Sequence, residues 1–153
     1  MLRKLIMTTI NKTAILPNTC EEAYSVVTDI KSYPEFLPWC SSVDIHIDEP
    51  ELAEATLNIA KGKMNIAFTT HNEMVINEQV KLRLLKGPFK RLCGVWKFTK
   101  LNDESCKVSL KLEFEFSNKL LALALGVVFS QITNTMLDAF CKRTKALYQQ
   151  QVS

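Results

Sequence analysis

The sequence predicts an α+β fold, in which an antiparallel sheet of about seven strands is covered on one face by a long C-terminal helix. Three observations predict it. Between residues 43 and 116 apolar side chains recur with a period of two, as they do in strands with one covered and one wet face. From Lys119 to about Gln149 there is no proline and one glycine, Gly126, and helix formers dominate. The chain has 153 residues, 47% of them hydrophobic, with only 4 glycines and 5 prolines, which suits one packed domain and excludes disordered and collagen-like chains.

The elements follow in order. Met1-Leu-Arg-Lys-Leu-Ile-Met7 lacks the long apolar core of a signal peptide. Residues 1–6 are read as an extension, 7–149 as one domain and 150–153 as a tail. A weakly patterned strand is expected near residues 8–16. Thr19-Cys-Glu-Glu22 has the spacing of a capping box, with a hydroxyl at the cap and a carboxylate three residues on. Ala23, Val26, Val27 and Ile30 then mark one helical face, and the helix is expected to stop near Tyr33-Pro34, because the residue before proline disfavours helical dihedrals. The strands alternate through Val43, Ile45 and Ile47; Ala53, Ala55, Leu57 and Ile59; Ile66 and Phe68; Val80, Leu82 and Leu84; and Cys106, Val108, Leu110, Leu112, Phe114 and Phe116. Lys61-Gly62-Lys63, Gly87-Pro88 and Asn102-Asp103 supply turns. Ser117 or Asn118 can cap the last helix, whose inward stripe is read as Phe129, Ile132, Met136, Phe140 and Leu147.

Composition excludes several function classes. The formal charge of +3 does not by itself indicate nucleic-acid binding, and no DNA partner is expected. The 5 cysteines are odd in number, widely spaced and free of CxxC, which points to free thiols in a reducing compartment. No zinc site is expected, because His46 and His71 are the available imidazoles and neither sits near a cysteine pair. Alternation places both histidines, with Glu113 and Glu115, on wet strand faces, where no water-poor site would tune a pKa. No phosphate-loop or dinucleotide motif occurs. No catalytic set emerges. Residues 120–137 are uncharged, but polar residues from Ser130 onward leave an unbroken apolar run of only ten, residues 120–129. That is short of the ~18 residues a spanning helix needs, and a buried helix in a soluble protein is expected.

Two features carry functional expectations. Phe68, Leu84, Trp96, Phe98, Leu112, Phe114 and Phe116 from strands, with Phe129, Ile132 and Met136 from the helix, point inward. That set is read as a filled core, although a ligand pocket of ~300–1,000 Å³ would use the same residue types. Charge is also uneven. Residues 35–54 carry six acids and no base, whereas residues 61–100 carry nine bases and two acids. Lys81, Arg83, Lys86, Lys90 and Arg91 form a candidate basic surface for RNA phosphates or anionic lipid, with Phe89 read as an exposed aromatic among them. A merely solvated sheet face is the alternative.

Three segments, Tyr33-Pro-Glu-Phe-Leu-Pro-Trp-Cys40, Lys86-Gly-Pro-Phe-Lys-Arg-Leu-Cys-Gly-Val-Trp-Lys-Phe98 and Phe114-Glu-Phe-Ser-Asn-Lys-Leu-Leu121, resemble in order and spacing the family of coenzyme Q-binding proteins and bacterial ribosome association toxins. That family lies in the START-like, polyketide cyclase/dehydrase-related superfamily. The resemblance spans about residues 7–148 and implies a helix-grip fold, a curved sheet wrapped on the long helix. It also implies an apolar tunnel formed by the inward set above, with Tyr33, Phe36, Leu37 and Trp39 at its entrance. Cys93-Gly94-Val95 departs from the paired glycines usual before the tryptophan in related toxins. The superfamily's cyclase name does not make this chain an enzyme.

The first functional expectation is a noncatalytic protein that binds ubiquinone or another polyprenyl lipid in support of respiration, with no required cofactor. The second is a toxin-like factor that binds the large ribosomal subunit and blocks subunit association. A cytoplasmic location, peripheral to the inner membrane, fits both. Removing residues 1–6 is expected to leave the melting temperature unchanged, and a large drop in a thermal melt would refute their reading as an extension.

Overall fold

The computed structural model describes residues 7–148, so the extension at 1–6 and the tail at 150–153 lie outside the described residues. Over these residues the chain forms β1 (Met7–Leu16), α1 (Cys20–Thr28), a 3-10 turn (Ile30–Ser32), α2 (Tyr33–Phe36), β2 (Cys40–Glu49), β3 (Leu52–Lys61), β4 (Met64–Val75), β5 (Gln79–Lys86), β6 (Phe89–Asn102), β7 (Ser105–Phe116) and α3 (Lys119–Tyr148). The strands make one antiparallel sheet in the order β1-β7-β6-β5-β4-β3-β2. β1 and β2 follow one another in the chain but occupy opposite edges. The segment between them, with α1 and α2, must therefore cross the same face that α3 covers.

Local chemistry sets the element ends. Thr19 Oγ1 accepts from the Glu22 amide at 3.1 Å, and the Glu22 carboxylate accepts from the Thr19 amide at 3.0 Å, completing the capping box. The expected stop at Tyr33-Pro34 is corrected. α1 ends at Thr28, and Tyr33-Pro34 instead opens α2, with Pro34 in the first turn, where no amide proton is required. Asn118 caps α3, its Oδ1 accepting from the Leu121 amide at 2.8 Å. Gly87 turns the chain at φ 148°, and a Cβ there would lie 2.7 Å from Phe68 Cβ, so the β5–β6 turn closes on Phe68 only with glycine.

The inward strand register holds along β3 to β7 except at Phe89, where β6 shifts, and it slips within β2. Val43 and Ile45 keep the inner face, opposite Leu57 and Ala55, and Ile45 is 39% exposed because β2 is an edge strand, whereas the shift between Ile45 and Ile47 sets Ile47 opposite the outward Glu54. Phe68, Phe89, Phe114, Phe116 and Phe129 form one aromatic cluster, with Phe129 ring centroids 4.8 Å from Phe114 and 5.1 Å from Phe89. A second cluster joins Tyr33, Phe36, Trp96 and Phe140, with Phe140 5.0 to 5.2 Å from each of the others.

Two expectations about the long helix are corrected. Leu147 is exposed rather than part of the inward stripe. The apolar run 120–129 is only partly buried, for Phe129 is inside but Leu120, Leu123 and Val127 are 76%, 72% and 70% exposed. The helix is long and apolar enough by composition to cross a membrane, yet only 22% of its most apolar window is buried. A helix apolar on all sides has more greasy surface than one sheet face can cover.

Replacing Phe129 by Ala should destabilise the fold by about 3–5 kcal/mol, whereas Leu123→Ala on the same helix should change stability by less than about 0.5 kcal/mol. Urea denaturation of the two variants checks both, and equal losses would contradict the packing described.

Candidate functional site

A slot lies between α3 and the sheet, bounded by the two aromatic clusters. Ile30, Tyr33, Leu37 and Trp39 wall it from the crossing segment, with Ala55, Leu57, Leu82, Leu92 and Leu110 among its strand residues and Thr133 and Phe140 from α3. Of the inward residues expected to form a cavity, Phe68, Trp96, Leu112, Phe129 and Met136 line it. Leu84, Phe98, Phe114 and Ile132 do not. Phe98 packs edge-on against Tyr24 under α1 at 5.6 Å, Phe114 belongs to the phenylalanine cluster, and Ile132 is fully buried elsewhere on the helix. Leu84 is half-buried beside the Gly87 turn. Of the four expected entrance residues, Leu37 and Trp39 are interior wall, at 0% and 7% exposure, and Tyr33 lines the slot. Phe36 stands outside it. The Arg143 guanidinium lies 5.1 Å over its ring and donates to Glu35 Oε1 at 3.1 Å, clasping α2 to α3.

The open space is about 70 Å³, room for a few water molecules, where ligand pockets usually offer ~300–1,000 Å³. The interior is thus narrower than the expected tunnel, because Trp96, Met136 and the two aromatic clusters occupy most of it. Three polar side chains face it. Thr70 Oγ1 donates to Asn72 Oδ1 at 2.9 Å, and Thr133 Oγ1 donates back to the Phe129 carbonyl at 3.1 Å. Sequence reading missed these three because polar residues were assigned outward. Parity could have found two of them, since Thr70 and Asn72 continue the inward register of Ile66 and Phe68.

Among the described residues lining the slot there is no carboxylate, imidazole or amine. The Tyr33 hydroxyl donates to the Val27 carbonyl, and burial pushes its pKa well up, with Cys40 and Asp29 adding to the shift. The slot can hold apolar matter and offer an amide or hydroxyl, and it holds no group poised to move a proton at neutral pH.

The outer sheet face is different. Lys81 and Arg83 project from β5, opposite Val95 and Cys93 of β6, which in turn face Lys111 and Glu113 of β7. Small side chains at Cys93 and Val95 leave a trough of about 330 Å³ walled by His71, Glu73, Lys81, Arg83, Lys111 and Glu113. Cys93 lines this trough, while a Cβ on Gly94 would meet the Lys111 carbonyl oxygen at 3.0 Å and Leu112 Cδ1 at 2.9 Å, so the second position of the pair is the more tightly packed. Arg91 pairs with Glu113 at 3.3 Å and Lys90 with Glu115 at 3.7 Å. The candidate basic surface is therefore divided. Lys81, Arg83 and Arg91 lie on the outer face, whereas Lys86 and Lys90 sit at the end of the sheet.

Three outward assignments need correction. A register shift between Phe89 and Arg91 turns Phe89 inward, where it is buried and stacked 4.7 Å from Phe116. Glu115 is buried beside Lys90 rather than wet. His71 lies on the outer face but is largely covered, with Nδ1 2.6 Å from Glu54 Oε2 and Nε2 3.3 Å from Glu73 Oε1. His46 is exposed as expected, and its Nε2 lies 2.8 Å from Thr56 Oγ1.

Comparison with known proteins places this geometry. The family described as polyketide cyclase / dehydrase and lipid transport matches residues 16–141. The ribosome association toxin RatA of Pseudomonas aeruginosa is 42% identical over 141 residues, covering 92% of this chain and 98% of its own. The mitochondrial coenzyme Q-binding protein COQ10 of Drosophila melanogaster is 28% identical over 138 residues, covering 88% of this chain and 57% of its own. Among solved structures, the Zhui aromatase/cyclase from Streptomyces sp. R1128 superposes with a TM-score of 0.80 at 15% identity, over 91% of this chain and 94% of that one, a likeness of fold alone.

Burial raises the thiol pKa of Cys40 to about 11 and, with the hydrogen bond of the Cys106 thiol to Cys20 as the next cause, that of Cys106 to about 12, from an ordinary 9.0. Unfolded thiols ionise first, so this contribution to stability is whole below pH 9.0 and is lost as pH rises toward 11 and 12. Thermal melts should show a fall over that window that becomes shallower in Cys106→Ala; an unchanged slope would show that the thiol is not involved.

Proposed function

The chain belongs to the polyketide cyclase / dehydrase and lipid transport family, and from that membership we propose that it acts without catalysis, as a ribosome-association factor that engages the large subunit through the basic outer face of its sheet. The observation that carries this reading is the extent of likeness to ribosome association toxins, 42% identity over 92% of the chain. The outer face supports it physically. Lys81, Arg83, Lys97 and Lys111 project from three adjacent strands, and Lys81, Arg83 and Lys111 wall the trough beside Glu73 and Glu113, where these cations can meet a phosphate backbone. The absence of a proton-transfer group among the described slot residues supports a noncatalytic role, although the fold is shared with cyclases.

A second reading rests on the slot. Its walls are mostly apolar, and Asn72 can offer an amide to a ligand carbonyl. A polyprenyl quinone or another apolar molecule would then bind after the slot widens. The Glu35–Arg143–Phe36 clasp is the contact whose release would let α2 move away from α3. Slot and outer face are separate, so one protein can serve both readings.

Co-sedimentation with the large ribosomal subunit should fall steeply with salt. The double variant Lys81→Glu, Arg83→Glu should lower affinity at least about tenfold and flatten the salt dependence by about one unit of slope for each phosphate no longer neutralised. Salt-insensitive or absent co-sedimentation overturns the ribosome reading. For the slot, added ubiquinone should quench Trp96 fluorescence more readily in Arg143→Ala. No quench in either protein, with no quinone in organic extracts, removes the second reading.

A further inference from the structure

We infer that the end of the molecule where α3 begins docks on an anionic membrane surface, with Leu120, Leu123 and Val127 entering the headgroup layer and a collar of lysines meeting lipid phosphates. The inference rests on neither reading above, because it uses a third surface.

Topology creates that surface. In an antiparallel meander successive turns fall at alternate ends of the sheet. The β3–β4 turn, the β5–β6 turn and the β7–α3 junction share one end, since Lys61 is opposite Met64 and Phe89 opposite Phe116. They bring Lys61, Lys63, Lys86, Lys90 and Lys119 there, all exposed. Among the described residues, segments 60–64, 85–91 and 116–124 contain no acid, and the nearest carboxylate, Glu115, is buried against Lys90. The opposite end collects Glu49, Glu51, Glu78, Asp103 and Glu104 in its turns and Glu21 and Glu22 at the start of α1, partly offset by Lys100, which pairs with Asp103 at 3.0 Å, and by Lys142 and Lys145 near the end of α3. A modest net charge is thereby sorted into a polarity along the strand axis, basic at the α3 start and net acidic at the other end. Such a dipole turns its basic end toward a negative surface and holds its acidic end away.

The helix supplies the second component. On the face of α3 turned from the sheet, Leu120, Leu123, Ala124 and Val127 give way further along to Gln131, Asn134, Thr135 and Asp138, all of them exposed. The turns nearest the lysine collar are apolar on the wet side, with Leu147 the large exposed apolar residue near the other end of α3. Aliphatic side chains ringed by lysine form the pattern that partitions into the boundary between headgroups and acyl chains. An RNA partner would instead be met by exposed aromatic or arginine side chains suited to base stacking, and here the aromatics, Phe89 and Phe116, are turned inward.

The test uses full-length protein in flotation with vesicles of phosphatidylcholine alone and of phosphatidylcholine mixed with phosphatidylglycerol. Binding is expected to the anionic vesicles only. The triple variant Leu120→Ser, Leu123→Ser, Val127→Ser and, separately, Lys61→Glu, Lys63→Glu, Lys86→Glu should each weaken it at least about tenfold. Both sets lie on exposed positions, and circular dichroism melts confirm that they fold. Lys81→Glu, Arg83→Glu should leave vesicle binding intact while weakening ribosome co-sedimentation, which keeps this inference distinguishable from the ribosome reading. No binding to anionic vesicles, or binding indifferent to the three aliphatic replacements, overturns the inference. Loss of ribosome co-sedimentation in the aliphatic variant without any vesicle binding overturns it too, and assigns the patch to the ribosome.

Discussion

One helix has to cover a sheet much wider than itself. Seven strands at about 4.8 Å spacing span roughly 30 Å, whereas a helix with its side chains is about 10–12 Å across. Every other feature of the interior follows from that mismatch. The crossing segment with α1 and α2 fills part of the uncovered width, and large aromatics fill more. Phe129 from the helix meets four phenylalanines of the strands, and Phe140 meets Trp96, Tyr33 and Phe36. The slot is what remains between these two clusters, at the seam where α3, the crossing segment and the sheet come together. A fold that leaves such a seam can be adapted to a ligand, to an active site or to neither, and this explains how one architecture is shared by a cyclase at 15% identity and by toxins near 40%.

The same mismatch determines what the surface presents. Because the helix reaches past the ground it can bury, its first turns keep apolar side chains in water at the end of the sheet. Because the strands form a meander, the turns at that end share a solvent patch although they are distant in sequence. Lys61, Lys86 and Lys119 become neighbours of one basic end through strand pairing alone. Three surfaces are thereby kept apart: the slot inside, the trough on the outer face and the greasy basic end.

Much of the fold was legible from local rules. The capping box at Thr19 and Glu22 and the cap at Asn118 depend on residues within one turn, and each forms as its spacing requires. Inward parity from Ala53 to Phe116 depends on an unbroken period of two, and it holds wherever strand pairing runs without a shift. It fails at Ile47 on an edge strand and at Phe89 beside a bulge, because a single slipped residue exchanges the two faces. The site was legible only in part for the same kind of reason. Trp96, Leu112 and Phe129 were found by hydrophobic parity, while Thr70, Asn72 and Thr133 were hidden by their polarity, although two of them lie on the inward register.

By itself the sequence determined the element types, their order, the covered face of most strands and the family, because periodicity, capping and motif spacing are encoded in residues close together along the chain. Tertiary structure alone decided how much of the interior stays open, that Glu115 is buried beside Lys90, and that the basic segment divides between a face and an end. Those outcomes depend on which strands become neighbours and on how far one helix can shield a wide sheet, and both are properties of packing between segments remote in sequence.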